Sequence, residues 1–333
     1  MNLPLLVRLL LWPLSLVYGA YVGSRALLYR SGVLKQKRLR GTVISVGNLT
    51  VGGTGKTPMV LWLAEKFIAE GKRVAILSRG YRGTNGTSDE IELMKRRLQD
   101  RVLFGVGKNR FAEGQRLEAQ QRVDIFLLDD GFQHLPLARD LDILMLDGSR
   151  NLNDYWLLPA GTLREPVAAR RRADILVVTR KNERPEVETD SCDNISVFFA
   201  QTRLRGFRRL GSEAGCRHVG EIGAGPFFAF CGVGNPQAFF DDLSRWHVPI
   251  AGKRKFRDHH RYSVRDLKGL TNEAQRAGAL AFVTTEKDAF NVEDWKATEL
   301  PVFVTVIDMV PTAESEFVAA LEQKINSFGG AAA

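Results

Sequence analysis

Cysteine is scarce in this chain. Cys192, Cys216 and Cys231 are three in 333 residues, an odd number without C-x-x-C spacing. That argues against a disulfide framework and against a cysteine zinc site, and makes a reducing cytosol the natural compartment. Acidic residues are missing altogether before Glu65, a stretch that holds Arg8, Arg25, Arg30, Lys35, Lys37, Arg38, Arg40 and Lys56. Eight of the nine net positive charges therefore sit at the front of a nearly neutral body, which excludes a uniformly basic nucleic-acid binder. No internal repeat is present, and neither is the Asn-Lys-x-Asp motif of guanine specificity. Hydrophobic residues at 44% and charged residues at 26% describe a globular chain rather than a disordered or fibrous one. The length suggests two domains.

Leu3 to Val22 carries one charge, Arg8, and is interrupted by Pro4 and Pro13. Four readings compete. A cleaved signal peptide would place its basic residues first, and here they follow the apolar run. A membrane-spanning helix is just long enough, and a buried core helix has the same composition. The preferred reading is a helix lying in the membrane surface. Trp12, Tyr18 and Tyr21 suit the headgroup level. The six cations from Arg25 to Arg40 would each gain about 1 kcal/mol against an anionic leaflet. Their position assigns this end to the cytoplasmic face. Spanning and lying flat both stay open, because the segment is only weakly amphipathic.

Gly41 to Gly47 reads as a short buried strand. It leads into Thr50-Val51-Gly52-Gly53-Thr54-Gly55-Lys56-Thr57, and helical spacing follows from Met59 to Glu70. Strand, glycine-rich turn, Gly-Lys-Thr and helix form a phosphate loop. Its glycines let backbone N–H groups curl around phosphate oxygens at a helix N-terminus. Lys56 would reach the outer phosphates, and the Thr57 hydroxyl would hold Mg2+. Thr50 stands where the usual pattern has its first glycine, and Gly52 and Gly53 restore the flexibility.

A second acid is needed at such a site. Ile125-Phe126-Leu127-Leu128-Asp129-Asp130-Gly131 describes a buried parallel strand delivering carboxylates at its C-terminal edge, where open α/β sheets bind ligands. Asp129 or Asp130 would then hold Mg2+, with a turn cap before Gly131 as the other reading of Asp130. His134 reads as a structural residue rather than a base. Arg79, after the strand Val74–Ser78, suits an anionic ligand. Asp89-Glu90 alone reads as an acidic helix start, favourable with the helix dipole.

The ordered set of motifs has a precedent. It comprises the phosphate loop, Ser78-Arg79-Gly80-Tyr81, Asp89-Glu90, Asp129-Asp130-Gly131-Phe132-Gln133-His134, Leu157-Leu158-Pro159-Ala160-Gly161 through Leu163-Arg164-Glu165-Pro166, Phe230 to Pro236, Asp258-His259, and Thr285-Glu286-Lys287-Asp288-Ala289. From the N-terminal segment to about residue 310, it closely resembles the tetraacyldisaccharide 4'-kinase family, the lipid A 4'-kinases of Gram-negative bacteria. The resemblance implies ATP- and Mg2+-dependent phosphorylation of the 4'-hydroxyl of a tetraacylated glucosamine disaccharide 1-phosphate. The substrate would be a membrane-embedded glycolipid at the cytoplasmic face of the inner membrane, among anionic lipids, and no protein partner or nucleic acid is implied. It further implies a base dyad of Asp89 and His259, metal ligands Thr57, Glu90, Asp129 and Asp130, and substrate contacts from Arg79, Tyr81 and Glu165. Two positions depart from the family pattern: Ile91 follows Asp89-Glu90 where proline is usual, and Thr162 follows Leu-Pro-Ala-Gly where proline is usual.

Alternating strands and helices predict an α/β fold. The expected architecture is a phosphate-loop NTPase-like, mostly parallel sheet with helices on both faces, a second smaller α/β domain and an N-terminal hydrophobic helix. The expected boundaries are 1–40 for the membrane-associated segment, 41–202 for the kinase domain, 203–225 for a linker and 226–328 for the smaller domain. Two other functions fit part of the pattern: a phosphate-loop NTPase coupled to a membrane partner, and a membrane-surface adaptor that holds nucleotide as a structural ligand. Acceptor-dependent turnover separates them from a kinase.

Overall fold

The structure is a computed structural model that describes residues 4–80, 88–149, 155–180, 195–212, 215–222, 225–292 and 300–329. The chain divides into two compact units, one running to Gln201 and resuming at Met309, the other Thr202–Asp308.

The first unit begins with α1 (Leu5–Arg30) and continues through β1 (Thr42–Asn48), α2 (Lys56–Ala69), β2 (Val74–Ser78) and α3 (Asp89–Leu98). Then come β3 (Leu103–Val106), α4 (Arg110–Gln120), β4 (Ile125–Asp129), β5 (Leu141–Asp147), β6 (Ile175–Thr179) and β7 (Ser196–Arg209), whose far end enters the second unit. Strand order is β3-β2-β4-β1-β5-β6-β7, and every pairing within it is parallel. The near-continuous apolar runs of β2, β4 and β6 are what a sheet covered on both faces requires. All five residues of each of these strands are buried. Alternate residues of β4 feed different cores: Ile125 and Leu127 join Leu63 and Phe67 of α2, while Phe126 and Leu128 join Leu117 of α4.

α1 is long and apolar enough to cross a membrane by length and composition. It is not a core helix, however: Leu6, Leu10 and Val17 are 75%, 79% and 69% exposed, and Ser15 is its one buried residue.

The second unit holds α5 (Val219–Ile222), β8 (Phe227–Cys231), α6 (Pro236–Arg245), β9 (Ile250–Lys255), α7 (Val264–Arg276), β10 (Ala281–Thr285), α8 (Glu286–Val292) and most of β11 (Val302–Pro311). Its parallel strands run β11-β10-β8-β9. Phe227, Ala229 and Cys231 of β8 share a core with Phe239, Phe240 and Leu243 of α6. Phe228 and Phe230, one residue out of step, share another with Leu270 and Ala274 of α7.

The boundaries differ from those read in the sequence in two ways. The stretch 203–225 is not simply a connection, since β7 continues to Arg209 and Phe207 is buried in the second unit's core. The last helix, α9 (Glu314–Gly329), returns to the first unit, because Phe317 and Leu321 complete the core around α2. The rings of Trp62 and Phe198 pack on Phe317 at 5.5 and 5.1 Å. The expected surface loop 181–194 lies outside the described residues.

Candidate active site

β1 stands between β4 and β5, so the loop leaving its C-terminal end lies at the point where the chain's strand order reverses. Helix α2 opens on Gly55, at φ 87°, with no side-chain cap. By contrast, Ser88, Asn109, Asn235 and Ser263 each cap their helices with a side-chain oxygen. The first N–H groups of α2 thus have no side-chain acceptor, which is the arrangement an anion fills. A Cβ built at Gly52 or Gly53 would meet nothing within 4 Å, and the buried Thr54 hydroxyl has no hydrogen-bond partner among the described residues. These features fit a phosphate cradle. The rest of the loop is fastened from outside: Val51 N–H donates to the Thr162 carbonyl at 2.8 Å, and the Arg180 guanidinium donates to the Gly53 carbonyl at 3.2 Å. Thr50 forms an isolated bridge with Leu163.

The Lys56 ammonium donates to Asn48 Oδ1 at 3.0 Å and lies 3.5 Å from Asp130 Oδ1. Asp130 is also gripped by Arg164, whose Nη1 reaches both carboxylate oxygens at 2.8 and 2.6 Å. Burial alone would raise its pKa, but Lys56 and Arg164 outweigh that and hold it at about 2. Asp129, one residue earlier, is pushed up to about 6 by burial first and then by the charges of Asp130 and Glu90. That effect places Glu90 within electrostatic reach of Asp129. Asp130 also takes the left-handed conformation, φ 50°, needed by the turn into Gly131, so metal and turn readings are compatible. Arg110 is 4% exposed and donates to the carbonyls of Asp129 and Asp130 at 2.9 and 3.3 Å. His134 falls to about 4 through burial and the nearby Arg110, Arg139, Arg25 and Arg79, which makes it a neutral structural imidazole at pH 7.

Asp89 and Glu90 are the first two residues of α3, and Ser88 caps it by accepting from Ile91 N–H at 3.4 Å. Ile91 therefore contributes an N–H that proline lacks, and its side chain is fully buried in the core. Thr162, at the other departure from the family pattern, supplies the carbonyl that fastens Val51. Thr57 is half-buried in the first turn of α2, and Arg79 is exposed just beyond β2. Tyr81 lies outside the described residues. Glu165 is 2% exposed, and its carboxylate takes the Arg172 guanidinium at 2.5 Å. This makes it a brace of its loop rather than a group turned toward substrate. Among the described residues no three His, Cys, Asp or Glu side chains form a metal cage. Mg2+ keeps several waters and takes one or two carboxylates plus substrate phosphates, so the fit rests on the oxygen donors that Thr57, Asp129 and Asp130 offer.

His259 belongs to the second unit. It follows β9 at φ 58°, and its N–H donates to the Gly232 carbonyl at 3.0 Å. Lys287 Nζ sits 3.1 Å from His259 Nε2 and 3.3 Å from Asp258 Oδ1. An ammonium can only donate, so Nε2 accepts and the ring proton is left on Nδ1. Asp288 is 1% exposed and collects Gly232 N–H and Tyr262 O–H, each at 2.8 Å, and Thr285 O–H at 2.7 Å. Burial raises its pKa. Arg110, Arg164, Lys287 and Asp288 are the parts that the residue-level reading did not single out. Only the family motifs containing the last three marked them. A groove of about 900 Å3 lined by Arg40, Thr42, Lys72, Glu118 and Asp124 opens at the other end of β1 and β4, away from this chemistry.

Residues 7–326 match the family model described as tetraacyldisaccharide-1-P 4'-kinase. The tetraacyldisaccharide 4'-kinase of Geobacter sulfurreducens is 39% identical over 330 residues, covering 92% of this chain and 90% of the relative. That of Desulfotalea psychrophila is 35% identical over 322 residues, covering 88% and 90%. A crystal structure of LpxK from Aquifex aeolicus in complex with ATP matches with a TM-score of 0.75 and 31% identity, over 96% of this chain and 99% of that one. With a family model spanning nearly its whole length and relatives above one-third identity, this chain belongs to the tetraacyldisaccharide 4'-kinase family.

Proposed function

We propose that the enzyme transfers the γ-phosphate of ATP to the 4'-hydroxyl of a tetraacylated glucosamine disaccharide 1-phosphate, a lipid A precursor, with Mg2+. The observation that carries this reading is the uncapped glycine-rich start of α2, with Lys56 held between Asn48 and the Asp130 carboxylate. The coupled-NTPase alternative rests on the same loop, but the family membership favours a kinase.

When bound, Mg2+ offsets charge on the triphosphate. The residues that would hold it, directly or through water, are Thr57, Asp129, Asp130 and Glu90, a set of hard oxygen donors. The loop from Thr50 to Thr57 binds the phosphates through its N–H groups. Lys56 neutralises charge that grows on the transferred group, and Arg79 adds a second cation near the strand end. A sugar hydroxyl is a poor nucleophile at neutral pH, and phosphoryl transfer asks chiefly for alignment and charge neutralisation. Asp89 accepts the proton late in transfer. His259 is the second member of the base dyad that the family resemblance implies, with its ring Nε2 3.1 Å from Lys287 Nζ. Arg79 and Tyr81 contact the acceptor.

α1 brings the enzyme to its substrate. Its exposed leucines enter the outer layer of the cytoplasmic leaflet, and the cations from Arg25 to Arg40 meet anionic headgroups. A helix that buries Ser15 against the folded first unit lies on the membrane instead of crossing it.

Incubation with γ-labelled ATP, Mg2+ and the tetraacylated disaccharide, followed by thin-layer separation, tests the reaction. Label is expected in the lipid only when acceptor is present. Free phosphate released at the same rate without acceptor would favour the NTPase reading.

A further inference from the structure

Along α1 the less exposed positions recur as Leu11, Ser15, Tyr18, Val22 and Arg25. That spacing is one helical stripe, and it is the stripe through which the helix makes polar contact with the first unit. Ser15 Oγ donates to the Leu157 carbonyl at 3.0 Å and accepts from Ala160 N–H at 3.1 Å. Gly19 lets the helix come close, since a Cβ there would stand 3.0 Å from the Leu157 side chain. Tyr18 O–H donates to the Arg164 carbonyl at 2.9 Å. Farther along, Arg25 donates to the Gln133 carbonyl at 3.3 Å, and the Gln133 amide donates to the Asn48 carbonyl at 3.0 Å.

Two of these contacts lead directly to the phosphate site, Tyr18 through Arg164 and Arg25 through Gln133. The Ser15 contacts hold the Leu157–Ala160 stretch of the loop that runs on to Arg164. Arg164 N–H donates to the Leu49 carbonyl at 2.7 Å, just before the phosphate loop. Its backbone is thus held on one side by the loop and on the other by Tyr18, and its guanidinium grips Asp130, the carboxylate beside Lys56. A membrane tether needs only an apolar face and a flexible join; it needs no hydrogen bonds from mid-helix to the residue that positions Asp130. We infer that α1 is a built part of the nucleotide site, with Tyr18 and Ser15 as positioning residues that set Arg164, and through it Asp130 and Lys56. The helix that docks on lipid is then the helix that completes the site. This rests on the assignment of Lys56 and Asp130 to nucleotide.

The test uses the full chain with Tyr18→Phe, Ser15→Ala, Arg164→Ala and the Tyr18→Phe/Arg164→Ala pair. Three quantities are read: affinity for a fluorescent ATP analogue with Mg2+, KM for Mg·ATP, and co-sedimentation with anionic phospholipid vesicles. Tyr18→Phe keeps the ring and the apolar face, so vesicle binding should not change, while analogue affinity falls and KM rises by about three- to tenfold, the effect of one hydrogen bond. Ser15→Ala should act in the same direction. In the Arg164→Ala background Tyr18→Phe should add nothing, because coupled residues are not additive. A merely structural role would lower thermal stability and leave KM unchanged in the folded enzyme. Unchanged KM, full additivity, or losses that track vesicle binding would each overturn the inference. If the unmutated chain bound no nucleotide, the site assignment would fall with it; normal binding by wild type and both helix variants would remove this inference alone.

Discussion

Asp129 and Asp130 are neighbours in sequence with opposite electrostatic fates. Asp130 turns toward Lys56 and Arg164 and stays ionised down to about pH 2, whereas Asp129 is driven to about 6, chiefly by burial and by the charges of Asp130 and Glu90. A pKa raised above its ordinary 3.8 means that the folded state holds the Asp129 proton more tightly than the unfolded one. That contribution to stability is complete below about pH 4 and is lost as pH climbs through about 6. At neutral pH the ionised, buried Asp129 therefore costs stability, and the Mg2+ proposed above would offset that cost. Asp129→Asn should raise the Tm of the metal-free protein at pH 7.5 by a few degrees, from on the order of 1–3 kcal/mol, and should make that Tm less dependent on pH between 4 and 7. The same variant should lose most of its activity. Calorimetry with chelator present checks the first part, and an unchanged or lowered Tm would contradict that cost. Lys56→Ala removes the cation aimed at the growing charge and should cut kcat by about a hundred- to a thousandfold. A variant turning over at a near-normal rate would strip Lys56 of its role.

At the level of elements, the parts readable from sequence were those whose signal is local. The phosphate loop, the apolar run of β4 ending in two carboxylates and the alternation of strands with helices all lie within short windows. β3 escaped notice because Leu103–Val106 is four residues with a glycine and only Gly105 buried. Arg110 and Arg164 reach their partners 20 and 34 residues away, and no spacing rule marks such a contact. Asp288 is a similar case. In sequence it is one acid in a motif; in the fold it binds Gly232 after β8, Tyr262 after β9 and Thr285 at the end of β10. His259 lies among these loops, with its backbone on Gly232 and its ring beside Lys287. Asp288→Ala leaves three donors without their acceptor and should destabilise the second unit by about 3 kcal/mol or more. Asp288→Asn, which keeps an oxygen, should cost less. Hydrogen exchange should show the loss at β8 and β10 while the strands of the first unit stay protected. Equal loss in both units would mean that Asp288 does not act locally.

For the molecule as a whole, the uneven charge and the exposed helix answer one need under the proposed function, which is reaching a membrane-embedded glycolipid. Two forces are available to the front end, and salt separates them. Attraction of Arg25 to Arg40 for anionic lipid is screened over about 3 Å at 1 M salt, whereas burial of leucine side chains in the acyl layer is not weakened by salt. Binding to anionic vesicles should therefore fall at high salt without vanishing, and the residual binding should persist on neutral lipid. Leu6→Glu with Leu10→Glu changes two of the most exposed positions of α1 and should abolish that residual binding. Because neither side chain lies on the stripe carrying Ser15 and Tyr18, the doubly charged variant should keep its fold and its affinity for nucleotide. It should lose activity only on acceptor presented in vesicles. Alkaline carbonate completes the argument: a helix lying on the surface is stripped by it, and a helix through the hydrocarbon is not. Protein that stayed with the vesicles after carbonate would show that α1 crosses the bilayer. The contacts of Ser15 and Tyr18 with the loop from Leu157 to Arg164 could not then persist in the docked enzyme.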